Sequence, residues 1–313
     1  MSSAQFVQRL SDGQWHQIDD AVQCQAQLAA VGLDVETTAD GRCRLSQAIE
    51  LFDADLIRTA MTQTQRITVD VAGTVDSTNT QLLNRPMPDF GRGTALVAEF
   101  QNSGRGRQNR SWQSSFGGGI CLSVAWQFRP APKKPGTLSL AAGVAVLRAL
   151  ARLGVTGVKL KWPNDLLYGG RKLGGVLVDA SQTGEAMHVV AGVGLNLHLS
   201  TRNIAEINAS GGLQAAALGE INTTVARGRN ALAAAVMDAL VEMFSEFQQK
   251  GFDPFRQEWN HADVLNGCAI QVSGLTPPLA GEAVGVDESG ALLVRAGETT
   301  HRLYAGDVRV RSV

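Results

Sequence analysis

Glycines interrupt two segments of this chain that otherwise have the apolar pattern of buried strands. Gly174 and Gly175 are adjacent in the predicted strand 173–179, and Gly192 and Gly194 alternate with apolar residues in the next predicted strand. Glycine weakens the interior of a strand, and it is favoured there when a ligand or another backbone must approach closely. The two segments therefore predict a sheet that lines a ligand pocket.

A loop rich in arginine is the second informative feature. Residues 104–112, which we call the arginine loop, contain Gly104, Arg105, Gly106, Arg107, Arg110 and Trp112. Arginine carries a permanent charge and a fork of donors that matches carboxylate and phosphate oxygens. The glycines allow backbone N–H groups to turn toward an anion. Alone, such a segment is more often a solvated basic turn, so its interpretation depends on the rest of the chain.

Charged and amide side chains cluster after a short predicted strand that ends at Lys161. Pro163 cannot donate to a sheet ladder, so it ends the strand. We predict that Asn164 and Asp165 lie in the following turn, where α/β sheets usually place ligands. Lys172 precedes the paired glycines on the next predicted strand. These residues also fit a plain turn and a solvated lysine, but the neighbouring glycines favour a site.

Two polar segments are candidates for the rest of the pocket. Residues 76–79, Asp-Ser-Thr-Asn, either cap a short helix over residues 80–83 or line the polar end of a pocket. Asn196 lies at the end of the second glycine-bearing strand. Each segment is weak evidence by itself. Together with the arginine loop they predict a glycine-lined pocket rich in arginine and lysine.

The predicted elements divide the chain into three zones. Residues 1–62 form a small α/β unit that begins with a helix through Phe6 and Leu10. Residues 63–262 alternate strands and helices, whereas residues 263–313 contain short β segments separated by turns. In the middle zone we predict strands at 119–128, 158–161, 173–179 and 189–197, a helix at 137–153, and a helix that Asn230 caps and Gly251 ends.

Composition excludes several other classes of function. The 313 residues have a formal net charge of −1, so a basic site must be local rather than global. The four cysteines form no CxxC pair and fit a reducing compartment. No run approaches 18 apolar residues, and the chain lacks a Walker phosphate loop, a GxSxG elbow and a histidine cluster of metal-site spacing. We predict a cytoplasmic protein that contacts no membrane.

In their order and spacing, the polar segments resemble the biotin protein ligases, which attach biotin to an acceptor lysine. The matching segments are Ser77-Thr78-Asn79, Glu99-Phe100-Gln101 leading into residues 104–107, and residues 161–165, 171–175 and 192–196. The resemblance covers the chain from about residue 65 to the C-terminus. It implies a mixed α+β fold: a class II synthetase-like biotin/lipoyl ligase catalytic domain (63–262), a small winged-helix remnant (1–62) and a C-terminal SH3-like β-barrel (263–313).

The resemblance also implies a two-step reaction and roles for the residues. Biotin and ATP, with Mg²⁺, give biotinyl-5′-AMP, and the biotinyl group passes to a lysine of the biotin carboxyl carrier protein of acetyl-CoA carboxylase. The implied catalytic residues are Arg107, Lys172 and Asp165, with Mg²⁺ near Asp165 and no protein cage for a metal. The implied biotin- and adenylate-binding residues are Ser77, Thr78, Asn79, Gln101, Gly104, Arg105, Gly106, Arg107, Trp112, Lys161, Asn164, Lys172, Gly174, Gly175, Gly194 and Asn196.

The N-terminal zone departs from the repressor-type members of this family. A helix-turn-helix needs two helices joined by a short turn, and residues 17–31 leave room for one. This stretch contains no lysine or arginine, which a phosphate-binding recognition helix requires. We therefore expect operator binding to be lost or weak, with a biotin-responsive repressor as the alternative.

The resemblance also bears on the choice of substrate, the oligomeric state and the adenine contacts. A lipoate or octanoyl ligase of the same fold is a second alternative to a biotin ligase. Members pair through the central sheet, which makes a homodimer a candidate state. Residues 203–218 occupy the place of the adenylate-covering loop, and they contain no aromatic residue to stack on adenine.

Overall fold

The N-terminal residues form a small module of two helices and three short strands. The computed structural model describes residues 1–200, 203–205, 207, 213–304 and 309–312. In chain order the elements of the module are α1 (Ser3–Leu10), β1 (His16–Gln17), α2 (Ala21–Ala30), β2 (Val35–Thr37) and β3 (Arg42–Leu45). The strands pair in the order β1-β3-β2. Phe6 and Leu10 are buried on one face of α1, and α2 is the single helix between β1 and the β2–β3 hairpin, as predicted.

A seven-stranded mixed sheet forms the centre of the molecule, with the strand order β4-β5-β6-β10-β9-β8-β7. The strands are β4 (Ile67–Val75), β5 (Gly93–Gln101), β6 (Gly119–Phe128), β7 (Lys159–Lys161), β8 (Asp165–Tyr168), β9 (Arg171–Thr183) and β10 (Ala186–Asn196). β4 and β5 are parallel, and the other neighbouring pairs are antiparallel. The four predicted strands of this zone are confirmed as β6, β7, β9 and β10.

Alternation along β6 gives the sheet two different faces. Ile120, Leu122 and Val124 point into the main hydrophobic core. Ser123, between them, hydrogen-bonds to residues on the opposite face, which we call the loop face because the arginine loop lies on it. Strand register places Gly194 opposite both Cys121 and Gly175. Gly175 of β9 and Gly194 of β10 thus meet on the loop face.

Helices cover the core face of the sheet. They are α3 (Ala54–Ala60), α5 (Leu138–Arg152), α6 (Thr223–Arg227), α7 (Arg229–Lys250) and α8 (Asp253–Ala262), while α4 (Thr78–Leu83) lies on the loop face. Gly154 and Gly251, which follow α5 and α7, have φ angles of +74° and +66°, a conformation that favours glycine and ends a helix. Among the described helices, none is long and apolar enough to cross a membrane.

Asn230 differs from its predicted role as a helix cap. α7 begins one residue earlier, and the Asn230 side chain binds the segment that follows the N-terminal module. Its Nδ2 donates to the Leu51 carbonyl, and its Oδ1 accepts a hydrogen bond from the Asp53 N–H, both at 2.9 Å. The prediction was wrong because a contact far away in sequence engages the side chain that would otherwise cap the helix.

The C-terminal residues form a separate five-stranded antiparallel sheet, in agreement with the predicted β-rich zone. Its strands, in the order β14-β13-β12-β11-β15, are β11 (Ala269–Ser273), β12 (Leu279–Val286), β13 (Leu292–Ala296), β14 (Thr299–Leu303) and β15 (Arg309–Ser312). The indole Nε1 of Trp162 donates to the Gly290 carbonyl at 3.1 Å. This bond attaches the C-terminal sheet to the turn that begins at Trp162.

Candidate active site

The arginine loop folds back on itself over the loop face. The Trp112 N–H donates to the Gly104 carbonyl at 2.8 Å, and the Gly106 N–H donates to the Arg110 carbonyl at 2.6 Å. A Cβ atom on Gly104 would lie 2.6 Å from the Trp112 carbonyl oxygen, closer than van der Waals contact allows. Position 104 therefore requires glycine for the loop to close, rather than for contact with a ligand.

The glycines of β9 and β10 serve different purposes. A Cβ on Gly194 would lie 2.6 Å from the Trp112 indole, and one on Gly174 would lie 2.4 Å from the Gly194 carbonyl oxygen. At Gly175 the nearest atoms of other residues would be 3.6 Å away, which is ordinary contact. Gly174 thus serves strand packing and Gly194 seats Trp112, whereas Gly175 leaves a floor that a side chain would fill.

A charged cluster lies beside Gly175. The Nζ atom of Lys172 is 2.6 Å from Oδ1 of Asp165 and 5.9 Å from the centroid of the Trp112 ring. Burial lowers the pKa of the Arg107 guanidinium, and the nearby Asp165 carboxylate acts in the opposite direction. Two cations therefore converge near one carboxylate, in a half-buried place where charge is screened less than at the surface.

Asp165 lies in a different element from the one predicted. It is the first residue of β8 and pairs with Lys161 across the β7–β8 hairpin. The turn itself consists of residues 162–164. The prediction was wrong on this point because the chain reverses more tightly than expected, but it still placed Asp165 next to Lys172 and the glycines.

A second polar cluster lies farther along the loop face, around the start of α4. Oε1 of Gln101 accepts hydrogen bonds from the backbone N–H and the hydroxyl of Thr78, at 2.8 and 3.0 Å. Asn79, which is 3% exposed, packs against Gly192, since a Cβ there would lie 2.1 Å from its Oδ1. Ser77, also buried, precedes the helix. The segment begins the short helix, but the Ser77 side chain makes no capping hydrogen bond, so capping by this side chain is not observed. We call Thr78, Asn79 and Gln101 the polar wall, and their lining of a ligand pocket stays a prediction.

Three predicted site residues have structural contacts in the described parts of the chain. Asn164 Nδ2 donates to the Val176 carbonyl at 2.7 Å, and Asn196 Nδ2 donates to the Ala216 carbonyl at 3.1 Å. Lys161 lies close enough to Asp263 to affect the pKa of that carboxyl. Contact of these three with a nucleotide stays a prediction.

Two residues that the sequence did not single out complete the polar wall. The hydroxyl of Ser123 lies 2.6 Å from Oδ1 of Asn79 and 2.7 Å from the Thr78 hydroxyl. Asp179 accepts hydrogen bonds from Asn79 and Arg105. Period-two alternation along β6 was sufficient to put Ser123 on the face opposite the core. Asp179 had no comparable indication in the sequence.

Within residues 1–200 and the later described segments, no group of three or more His, Cys, Asp or Glu side chains could hold a metal ion. The predicted loop at 203–218 lies partly outside the described residues. The Lys172 N–H, which donates to the Gln214 carbonyl at 2.7 Å, joins the charged cluster to the described end of that loop.

Two parts of the chain match known protein families. Residues 71–196 match the Biotin/lipoate A/B protein ligase family, and residues 269–311 match the Biotin protein ligase C terminal domain. The Bifunctional ligase/repressor BirA of Salmonella typhimurium is 34% identical over 282 residues, which span 90% of this chain and 85% of that protein. The Biotin–[acetyl-CoA-carboxylase] ligase of Paracoccus denitrificans is 29% identical over 74% of this chain and 96% of that protein.

The fold is similar to a solved ligase structure. Biotin protein ligase from Aquifex aeolicus in complex with biotin and ATP has a TM-score of 0.64 and 26% identity, over 79% of this chain and 99% of that one. The sequence match and the fold match both extend over most of the chain. The chain therefore belongs to the biotin protein ligase family.

Proposed function

We propose that this chain joins biotin to ATP and then to a lysine of a carrier protein. In the first step a biotin carboxylate oxygen attacks the α-phosphorus of ATP, the bond to the β-phosphate breaks, and pyrophosphate leaves. In the second step a lysine ε-amine attacks the acyl carbon of biotinyl-5′-AMP, the acyl C–O bond breaks, and AMP leaves. The observation that carries this proposal is the convergence of Lys172, Arg107 and Asp165 beside the open floor at Gly175.

The charged cluster suits the first step. A carboxylate that attacks a phosphate brings two anions together, so fixed positive charge must lie around both. Lys172 and Arg107 supply this charge, and the closed arginine loop keeps water from the acyl-phosphate. Asp165 holds Lys172 before the substrates bind, and its carboxylate is our candidate to accept a proton from the incoming amine in the second step.

The polar wall suits the ring of biotin. The bicyclic ring is mostly apolar, with one urea group that donates two hydrogen bonds and accepts at its oxygen. Thr78, Asn79 and Gln101 offer hydroxyl and amide groups at the buried end of the loop face. The Trp112 indole, seated on Gly194, lies between this wall and the charged cluster, where it would cover the apolar chain of biotin.

Mg²⁺ and the carrier protein follow from the same reaction. Mg²⁺ enters with ATP, held mainly by phosphate oxygens and water, and Asp165 is the carboxylate of the charged cluster that would face it. We infer that the acceptor is the biotin carboxyl carrier protein of acetyl-CoA carboxylase, because a relative bears that name. A cytoplasmic location fits the four cysteines, all of which are free thiols.

Label transfer to an acceptor domain tests the proposal. The protein is incubated with ATP, Mg²⁺, biotin and a biotin carboxyl carrier domain, and labelled acceptor is detected with streptavidin. We expect labelling that disappears when EDTA removes Mg²⁺ or when the acceptor lysine is replaced by arginine. A parallel reaction with lipoate, read with a lipoate antibody, distinguishes the related activity. Absence of biotin transfer, or equal transfer of lipoate, would overturn the assignment.

The repressor function of the BirA relatives finds little support in this chain. The exposed face of α2 carries Val22, Gln23 and Gln25, and the helix contains no basic residue. Lysine and arginine supply most of the affinity for DNA phosphates. We therefore propose ligase activity without tight operator binding, and a gel shift with the promoter of the chain's own gene, in the presence of biotin and ATP, distinguishes the two. Whether two copies pair through the sheet stays a prediction that sedimentation with and without biotin tests.

A further inference from the structure

The arginine loop is attached to the polar wall at one point away from the charged cluster. Nη1 of Arg105 lies 3.3 Å from Oδ2 of Asp179, a residue of β9. The two side chains are 45% and 24% exposed, and an ion pair this accessible is a weak and reversible contact. It holds the loop over the loop face without preventing the loop from opening.

The same carboxylate oxygen fixes the orientation of Asn79. The amide nitrogen of Asn79 has two hydrogens, which are donated to Asp179 Oδ2 at 2.9 Å and to the Leu177 carbonyl at 3.2 Å. The amide oxygen then faces Ser123, whose hydroxyl lies 2.6 Å away. Because Asn79 is almost fully buried, an amide turned the other way would place its oxygen against the Asp179 carboxylate and the Leu177 carbonyl, acceptor against acceptor, which is costly.

We propose that Asp179 is a positioning residue that couples loop closure to the orientation of the biotin-binding wall. One oxygen accepts from the loop through Arg105 and from the wall through Asn79. Loss of the carboxylate charge weakens the contact to the loop and the contact to the Asn79 amide together. The inference rests on the proposed function for the identity of the ligand, but the contact between loop and wall exists without ligand.

Limited trypsin digestion of the ligand-free protein tests the loop contact independently of catalysis. Trypsin cleaves after Arg107 and Arg110 when the loop opens. We expect Asp179→Asn to raise the rate of cleavage in the loop about fivefold, the factor that corresponds to about 1 kcal/mol for a partly exposed pair. Asp179→Glu retains the charge and is expected to stay nearer the wild-type rate. Asp70→Asn is the matched control, because Asp70 on β4 forms an exposed pair with Arg85 outside the loop. We expect it to leave cleavage in the loop unchanged.

Steady-state kinetics test the coupling to the wall. In Asp179→Asn we expect the KM for biotin to rise about tenfold or more, as for a lost charge-assisted hydrogen bond. The rate of pyrophosphate release at saturating biotin changes much less, because Lys172 and Arg107 remain. A wild-type trypsin pattern or a wild-type KM in Asp179→Asn would overturn the coupling, as would a loss confined to the rate at saturation.

The two proposals fail in different ways. If the wild-type chain transfers no biotin, the proposed function fails, and the trypsin comparison alone then decides whether Asp179 holds the loop. If wild type is active and Asp179→Asn matches it in both measurements, the inference on Asp179 fails and the ligase assignment stands. If Asp179→Asn does not fold, Asp179→Glu is measured in its place. The longer side chain keeps the ion pair with Arg105 but displaces Asn79, so the KM for biotin must still rise. A wild-type KM in Asp179→Glu would then overturn the inference.

Discussion

Lys172 is the residue on which the proposed first step depends most directly. Its ammonium group lies against Asp165, below the Trp112 ring, on the side of the site away from the polar wall. We expect Lys172→Ala to slow adenylate formation about 100-fold or more, the usual loss when one preorganised charge donor is removed. Pyrophosphate release with biotin and ATP measures the rate. Lys133→Ala removes an exposed lysine outside the site and is the control; a wild-type rate in Lys172→Ala would exclude the role.

Asp263 gives a prediction for pH. Burial raises the pKa of Asp263 from 3.8 to about 6, so the folded protein takes up a proton at a higher pH than the unfolded chain. Relative to Asp263→Asn, the wild type should gain stability as the pH falls from 7 to 4, by up to about 3 kcal/mol at about 1.4 kcal/mol per pKa unit. The gain in stability is complete below pH 3.8, the pKa of this carboxyl in the unfolded chain, and is lost as the pH rises through about 6, its pKa in the folded protein.

Urea unfolding of the wild type and of Asp263→Asn at several pH values measures this difference. The asparagine retains an oxygen that can accept the Leu265 N–H, as Asp263 Oδ1 does at 3.0 Å. A constant difference in the free energy of unfolding between the two proteins is therefore uninformative. Only the change of this difference with pH reports the titration of Asp263. A difference in stability that stays flat between pH 4 and 7 would contradict the buried titration.

At the scale of elements, the N-terminal module supports the segment that follows the arginine loop. Phe116 is 3% exposed and belongs to the core of the module, and its N–H donates to the Val31 carbonyl at 2.9 Å. Ile49 packs so closely on Gly117 that a Cβ there would lie 2.6 Å from its Cγ2. The arginine loop is thus fixed at one end by β5 and at the other by the N-terminal module. The module therefore has a structural role in supporting the loop that does not involve binding to DNA.

Ile49→Ala tests this use of the module. Loss of the side chain leaves a gap beside Gly117, and for a half-buried isoleucine we expect a cost of about 2 kcal/mol, the low end for such changes. Because the loop loses support, bound biotinyl-5′-AMP should dissociate severalfold faster while its rate of formation changes little. Val22→Ala, at a position of α2 that is 79% exposed, is the matched control. Equal adenylate lifetimes in wild type and Ile49→Ala would show that the loop does not depend on the module.

The elements that the sequence predicted correctly are those with strong local patterns. β6, β9 and β10 combine apolar periodicity with glycine, and the glycines after α5 and α7 give clear ends. β8 was missed because its four residues lie between a proline turn and Gly169-Gly170. α8 was missed because its buried residues, Phe255, Trp259 and Ala262, are embedded in a polar sequence.

The sequence predicted the parts of the candidate site that lie in contiguous segments, and it missed the parts that depend on contacts between distant residues. The arginine loop and the residues around Lys172 are contiguous runs that carry their own chemistry. Asp179 is a single acidic residue within a strand, and its partners Arg105 and Asn79 are 74 and 100 residues away in the chain. A strand, a helix and a loop meet at these three residues, and only the tertiary fold brings them together, so no local pattern could have indicated the contact.

At the scale of the whole molecule, one buried ion pair joins residues 46–53, which we call the linker, to the central sheet and α7. Arg229, 1% exposed, donates to Glu99 Oε2 at 2.7 Å and to the carbonyls of Glu50 and Gly119 at 2.6 and 3.2 Å. The other oxygen of Glu99 accepts the Phe52 N–H at 2.5 Å. This network fixes where the chain leaves the N-terminal module and enters the catalytic core.

Removal of one partner should therefore cost far more than removal of both charges. We expect Arg229→Met to destabilise the protein by about 3–5 kcal/mol, because it leaves the Glu99 carboxylate buried and unpaired. Combining it with Glu99→Gln removes the orphaned charge, keeps an acceptor for the Phe52 N–H, and should recover part of the loss. Urea midpoints of the single and double variants measure the coupling between the two positions. Arg152→Met, which breaks an exposed pair with Glu242, is the control, and we expect it to change stability by less than about 1 kcal/mol. Strictly additive losses at positions 99 and 229 would mean that the pair does not hold the linker, and that packing around Phe52 alone sets the path of the chain.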